Sequence, residues 1–320
     1  MATQNIWQKL KTANPNRPFT VLAPLEDVTD FVFRQMVAET CKPDLMFTEF
    51  TNTDALASVG YDRVIHNFKF SQEQRPIIAQ IWGTNPENFK KAAQIAVEFK
   101  FDGIDLNMGC PVRDVLAQGA CSALIANPTL AAELIKATKE GASDLPVSVK
   151  TRIGLKKIET ESWIGFLLEQ GLDALTVHGR TSKEMSKVPA HWDEIGKAVK
   201  LRDKIAPQTV LVGNGDVTSY ADGVEKHKLY GVDGVMVGRG IFHDPWVFEK
   251  TITQHSVQDR LDLLLKHTKL YVETYGEGKR FEVMKKFFKM YVNGFDGASE
   301  LRQRLMECHN IEEVRKTLYA

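Results

Sequence analysis

The sequence predicts an α/β protein, a (β/α)8 barrel of the TIM type followed by a small all-helical C-terminal domain. Three observations predict it. Eight short β-rich runs recur between residues 19 and 238, the intervals leave room for helices, and the strand pattern stops after Trp246.

The runs are FTVLA (19–23), DLMF (44–47), PIIAQ (76–80), GIDLN (103–107), PVSVK (146–150), ALTVH (174–178), TVLVG (209–213) and GVMVG (234–238). Eight βα units usually occupy about 250 residues, which fits residues 18 to 250. Among the intervals, NPENFKKAAQIAVEFK offers Asn85 as N-cap and Pro86 in the first turn, and NPTLAAELIKATKEGA is closed by Gly141. A doubly wound open sheet would alternate in the same way. However, GNGDVT (213–218) lacks the third glycine of a dinucleotide fingerprint, and none follows the first run. Beyond residue 251, SVQDRLDLLLKHTKLYVETYG, KRFEVMKKFFKMYVNGF and ASELRQRLMECHNIEEVRKTLYA read as helices separated by glycine-bearing turns. The expected organisation is an N-terminal extension (1–17), the barrel (18–250) and a helical domain (251–320).

Composition narrows the function classes. With 320 residues, 43% apolar and 26% charged, the chain is an ordinary soluble globular protein. Its start, MATQNIWQKLKTANPNRPF, has no apolar signal-peptide core, and no run of about 18 apolar residues follows, so a cytoplasmic protein without a membrane segment is expected. Cys41, Cys110, Cys121 and Cys308 are scattered, with no Cys-x-x-Cys pair and no His at zinc-ligand spacing, which indicates free thiols and no metal. Forty-one basic residues balance forty-one acidic ones, so any nucleic-acid partner must be held by a local patch.

In barrels of this kind the chemistry lies at the C-terminal strand ends. Those ends carry Pro24, Glu49, Gln80, Asn107 with Cys110, Lys150 with Arg152, His178 with Arg180, Asn214 with Gly215 and Asp216, and Gly238 with Arg239. A strand-end Asn or Gln commonly caps a loop and a lone His is commonly structural, so it is the convergence that marks a site. GNGD after the seventh run and VGRG after the eighth put small residues and one guanidinium where this fold binds phosphate; the bland alternative is a pair of tight turns. Lys150 has two readings, a Schiff-base lysine or a fixed cation beside a cofactor.

At these residues the chain resembles the tRNA-dihydrouridine synthases, flavoenzymes that reduce selected uridines of transfer RNA. The matching pieces are APLEDVTD (23–30), TEF (48–50), AQIWG (79–83), DGIDLNMGCP (102–111), GACSALI (119–125), VSVKTRIG (147–154), VHGRT (177–181), GNGDV (213–217) and DGVMVGRG (233–240). They occur in family order over nearly the whole chain, and MKKFFKMYVNGF (284–295) is similar to the family's C-terminal domain. The resemblance implies FMN on the barrel mouth. Its ring would lie against the backbone of Pro24, Leu25 and Glu26, with Gln80 and Lys150 at the ring edge and His178 close by. Its phosphate would rest on Asn214, Gly215, Asp216, Gly238 and Arg239. Cys110 is implied as the general acid that protonates uracil C5 while hydride reaches C6, with Asn107 at the O4/N3–H edge and Arg152 and Arg180 at the base carbonyl or a nearby phosphate. In this reading Lys150 tunes the flavin and forms no Schiff base, NADPH or NADH is the reductant, tRNA is the substrate, and the protein is a monomer. The bland alternative for Cys110 is a buried small hydrophobe.

The chain also departs from the family. Leu25 and Asp27 stand where the family usually has Met and Gly, and Cys121 stands where a Gly is frequent. After VHGRT, the loop SKEMSKVPAHW (182–192) carries Glu184, Ser186 and Val188 in place of the usual Gln, Tyr and Gly. In the tail, KRFEVMKKFFKMYVN (279–293) sets Lys279, Arg280, Lys285, Lys286 and Lys289 against Glu282, with four aromatic residues interleaved. That pattern suits RNA binding, or an amphipathic helix with a solvated basic face. Three other functions stay open on the residues alone: an FMN-dependent dehydrogenase of free pyrimidines of the dihydroorotate dehydrogenase kind, a non-catalytic RNA-binding barrel, and an aldolase acting through Lys150.

Overall fold

All eight β-rich runs form strands in the computed structural model, which describes residues 4–251 and 253–319. They are β1 (Phe19–Leu22), β2 (Met46–Phe47), β3 (Ile77–Trp82), β4 (Gly103–Met108), β5 (Val147–Arg152), β6 (Ala174–His178), β7 (Val210–Asn214) and β8 (Gly234–Val237). Every pairing is parallel and follows chain order, and β8 pairs back onto β1. The seam between β1 and β2 is thin: a Val21–Leu45 bridge closes it, with Leu22 N–H donating to Leu45 at 3.0 Å and Leu45 N–H to Thr20 at 3.1 Å. A two-residue strand, Thr51–Asn52, adds to the end of β3. The sheet is therefore a nearly closed barrel.

Period-two alternation sorts the strand side chains. Phe19, Val21, Ile78, Ala174, Val210, Val212 and Met236 pack with one another in one cluster, whereas Leu22, Ile77, Ile81, Leu175, Leu211 and Val235 belong to the larger core shared with the helices. The floor of the barrel interior is supplied from outside the strands. Helix Ile6–Ala13 places a fully buried Trp7 at 6.3 Å from the Phe19 ring and 6.2 Å from Phe47. Asn5 to Asp173 at 2.7 Å and Lys11 to Asp233 at 3.0 Å pin that helix beside the starts of β6 and β8.

Two expected features differ. Helix Pro128–Ala142 does begin at an Asn cap, but it runs through Gly141 and ends at Ser143, which takes φ 54°. Gly141 serves packing instead: a Cβ there would lie 2.2 Å from the Lys90 carbonyl oxygen on helix Pro86–Glu98. In the tail, helix Val257–Tyr275 forms with a Ser256–Asp259 capping box, but the basic stretch is no continuous α-helix. It is a 3-10 run, Phe281–Phe287, followed by one α-turn, Phe288–Tyr291, and it buries Met284, Phe287, Phe288 and Tyr291. Two further helices, Ala298–Met306 and Ile311–Leu318, complete the tail. Among the described residues, no single helix is long and apolar enough to cross a membrane.

Candidate active site

The strand ends open on one cavity of about 690 Å³, and every barrel residue singled out from the sequence as cofactor, substrate or catalytic lines it, from Pro24 through Cys110 and Lys150 to Arg239. Lys279, Arg280, Lys285 and Lys286 do not line it. Phe50, Met185 and His243 do, and no reading of isolated residues marked them.

One end of the cavity is built on a buried polar chain. Asp105 sits two residues before Asn107 on β4, so both point into the barrel. Asp105 accepts from Ser148 at 2.6 Å and from Gln80 at 2.8 Å, and burial nevertheless pushes its carboxyl up to about 7. The Gln80 carbonyl accepts from Asn107 at 3.2 Å, and the Asn107 carbonyl accepts from the backbone N–H groups of Gly109 and Cys110, both at 3.0 Å. Asn107 thus holds the Cys110 turn in place and keeps one amide hydrogen for a ligand. Asp105 was not anticipated, although its spacing from Asn107 was a signal.

Cys110 is half-buried and lines the cavity. A hydrogen bond from Cys121, assisted by the Val112 backbone and by the charges of Arg152 and Lys150, outweighs burial and brings its thiol down to about 6. The thiolate is the reactive form. Iodoacetamide labelling of Cys110 in the substrate-free protein, followed by peptide mass, is therefore expected to rise with pH through about 6; a midpoint at the ordinary value of 9 would contradict this environment.

Three cations and an imidazole face the same space. Lys150 donates to Asn214 at 3.1 Å, and burial together with Arg152 lowers it to about 8. Burial and the neighbouring cations hold His178 well below its ordinary range, so the ring is neutral. Its Nε2 lies 3.1 Å from Arg180 Nη1, which can only donate, so the proton sits on Nδ1. Arg152 and Arg180 were expected to meet substrate directly. The structure places most of their donors inside: Arg152 reaches the carbonyls of Gly109 (2.7 Å), Thr181 (3.1 Å) and Met185 (2.8 Å), and Arg180 reaches Val188 (2.6 Å) and the Asp216 carboxylate (2.5 Å). Together they fasten the 182–192 loop over the cavity, and Glu184 adds bonds to Thr181 N–H (2.7 Å) and His191 (3.0 Å).

At the opposite end, Asp216 turns its carboxylate away to Arg180 and Ala190, while the backbone N–H groups of Asp216, Arg239 and Gly240 find no acceptor among the described residues. The Arg239 guanidinium is exposed, its nearest carboxylate oxygen 3.9 Å away. Free N–H groups beside an exposed guanidinium form an anion cradle. Among the described residues, no group of three His, Cys, Asp or Glu side chains could hold a metal.

The two glycine replacements have a common geometry. Asp27 has φ 57° and Cys121 φ 53°, the left-handed region in which glycine costs least and Asp is tolerated better than Cys. The tail docks beside the first of these: Lys286 Nζ meets the Asp27 carbonyl, and Lys279 Nζ and Tyr275 Oη meet Asp30 at 3.2 and 2.9 Å. Lys285 turns to the Met306 carbonyl at 2.7 Å, while Arg280 is exposed.

The family model described as dihydrouridine synthase (Dus) matches residues 21–320. The chain belongs to the dihydrouridine synthase family. A probable tRNA-dihydrouridine synthase of Staphylococcus aureus is 47% identical over 98% of this chain and 95% of its own length. Probable tRNA-dihydrouridine synthase 2 of Bacillus subtilis is 46% identical over 99% and 96%. Like other dihydrouridine synthases, this chain is an oxidoreductase. The barrel is also similar to solved structures: 2-naphthoyl-CoA reductase (TM-score 0.55, 9% identity, 72% of this chain and 49% of that one) and histamine dehydrogenase from Rhizobium sp. 4-9 (TM-score 0.54, 13%, 78% and 48%). At such identities the likeness is one of fold.

Proposed function

We propose that this dihydrouridine synthase reduces specific uridines of tRNA to 5,6-dihydrouridine, with FMN as cofactor and NADPH or NADH as reductant. The observation that carries the reading is the convergence, on one cavity, of a bond-fixed Cys110, the half-buried cation Lys150 and the anion cradle at Asp216, Arg239 and Gly240. FMN fits these residues. The cradle suits its phosphate, and the backbone of Pro24, Leu25 and Glu26 with Gln80, Lys150 and His178 suits its ring. When bound, FMN supplies the hydride that uracil C6 receives. Cys110 holds the proton for C5, and the Asn107 bonds to its loop fix where that proton sits. A thiol brought down to about 6 is a stronger acid than an ordinary cysteine, and the fraction able to give its proton falls as pH rises through that value.

Asn107 offers its remaining amide hydrogen to the base, and Arg152 and Arg180 order the 182–192 loop that covers it. A uridine must leave its stack to enter the cavity. Residues 18–250 would then be the catalytic barrel. Residues 251–320 would carry the tRNA-binding surface, in which Lys279, Arg280, Lys285 and Lys286 lie on the segment docked beside the mouth.

The test is the visible spectrum of the purified protein, the mass of the pigment it releases on denaturation, and dihydrouridine formed in tRNA on adding NADPH. Flavin bands, released FMN and dihydrouridine are expected. Fast turnover of free uracil or orotate with none on tRNA would replace this reading by that of a free-pyrimidine dehydrogenase. A colourless protein that takes up no FMN would remove the enzyme assignment.

A further inference from the structure

We propose that Cys110 and Cys121 form a dithiol that a hydroperoxide converts into an intramolecular disulfide, so that the loop bearing the acid is a reversible oxidation site. The inference rests on the reading above only in calling Cys110 the acid. Cys110 is half-buried and faces the cavity, whereas Cys121 lies fully buried behind it; both belong to one small apolar cluster with Val115, Ala120 and Trp82. The two chain segments run side by side, since the Ser122 N–H and Oγ reach the Cys110 carbonyl at 3.4 and 2.8 Å. The backbone at Cys121, with φ 53°, favours a glycine, so a thiol stands there against local preference, in the cluster that Cys110 packs against.

The chemistry balances with a hydroperoxide as oxidant. The Cys110 thiolate attacks the peroxide oxygen, an S–O bond forms, the O–O bond breaks, and the leaving oxygen takes up a proton. Cys110 is then a sulfenic acid. The sulfur of Cys121 attacks it, an S–S bond forms, the S–O bond breaks, and hydroxide leaves as water with the Cys121 proton. Two thiols lose two electrons and two protons, and the peroxide is reduced to water, or to an alcohol and water. Cys121 is shielded from bulk peroxide, so it acts as the resolving thiol. Without it, Cys110 would proceed to the sulfinic and sulfonic acids, which thiols do not reverse.

The experiment treats the full chain with hydrogen peroxide, traps remaining thiols in acid denaturant, and reads intact mass and peptide map. Wild type is expected to lose the mass of two hydrogen atoms and two titratable thiols, to yield one peptide linking Cys110 to Cys121, and to return fully with dithiothreitol. Under the same treatment Cys121→Ser is expected to gain oxygen at Cys110 that dithiothreitol does not remove. Oxygen adducts at Cys110 in wild type with no linked peptide would overturn the proposal, as would a link to Cys41 or Cys308. Mass and thiol count are read without substrate, so this outcome and failure to act on tRNA are separate results.

Discussion

Replacing Cys110 by Ala is expected to lower dihydrouridine formation on tRNA by roughly 10²–10⁴-fold, the range a positioned general acid supplies, while bound flavin and its reduction by NADPH stay at the wild-type level. The separation follows from which atoms do the holding. Asn107 bonds the backbone N–H of Gly109 and Cys110, Ser122 bonds the Cys110 carbonyl, and Arg152 bonds the Gly109 carbonyl, so none of these anchors is lost with the sulfur. The anion cradle lies just past the ends of β7 and β8, across the cavity from the β4 turn. Single-turnover reduction of tRNA by the pre-reduced protein, beside the flavin spectrum, measures both. Full turnover by the variant would remove the acid role from Cys110. Loss of flavin in parallel with activity would make Cys110 a binding residue instead. Asn107→Ala provides a contrast: it leaves the sulfur in place but frees the loop, so it should slow turnover without removing the thiol.

How far the molecule could be read beforehand depends on whether a feature is local. All eight strands were legible because each is a short apolar run between breakers, and strand ends in a parallel barrel share one face, so listing them assembled the cavity. Gly141 was misleading because a helix stop and a close helix contact use the same residue; only the nearby Lys90 carbonyl tells them apart. The 279–293 stretch has the charge and aromatic pattern of an amphipathic helix, yet its lysines reach the Asp27 carbonyl, Asp30 and the Met306 carbonyl, and its aromatic residues are divided between a 3-10 run and one α-turn. Such partners are remote in sequence. The same holds for Arg152 and Arg180, whose guanidinium groups suggested substrate contacts but bond carbonyls of the loop that covers the site. Asp105 was within reach: a carboxylate at an inward position of an apolar strand requires partners, and Gln80 and Ser148 are those partners.

The N-terminal extension carries the other large effect. Trp7→Ala is expected to destabilise the protein by about 3–5 kcal/mol, the usual loss when a buried Trp leaves a void. Trp7 is fully buried against Phe19 and Phe47, in the cluster that includes Val21, Ile78, Val210 and Met236 from the barrel interior. The strands alone cannot fill that end. Gly234, beside Phe19 in register, has no side chain, and a Cβ there would lie 2.5 Å from the Phe19 ring, so the floor is already fitted to the aromatic group above it. The hydrogen bond of Asn5 to Asp173 and the ion pair of Lys11 with Asp233 would remain, so the helix should stay docked over a cavity in the variant. Urea unfolding should show a lower midpoint at nearly unchanged slope. Because this floor is at the far end of the barrel from Cys110, flavin content and tRNA turnover below the unfolding range should hold at wild-type values. Trp7→Phe, which keeps most of the ring, should recover most of the stability. A Trp7→Ala protein with the wild-type midpoint would mean that the barrel closes its own floor and that the extension is dispensable to the core.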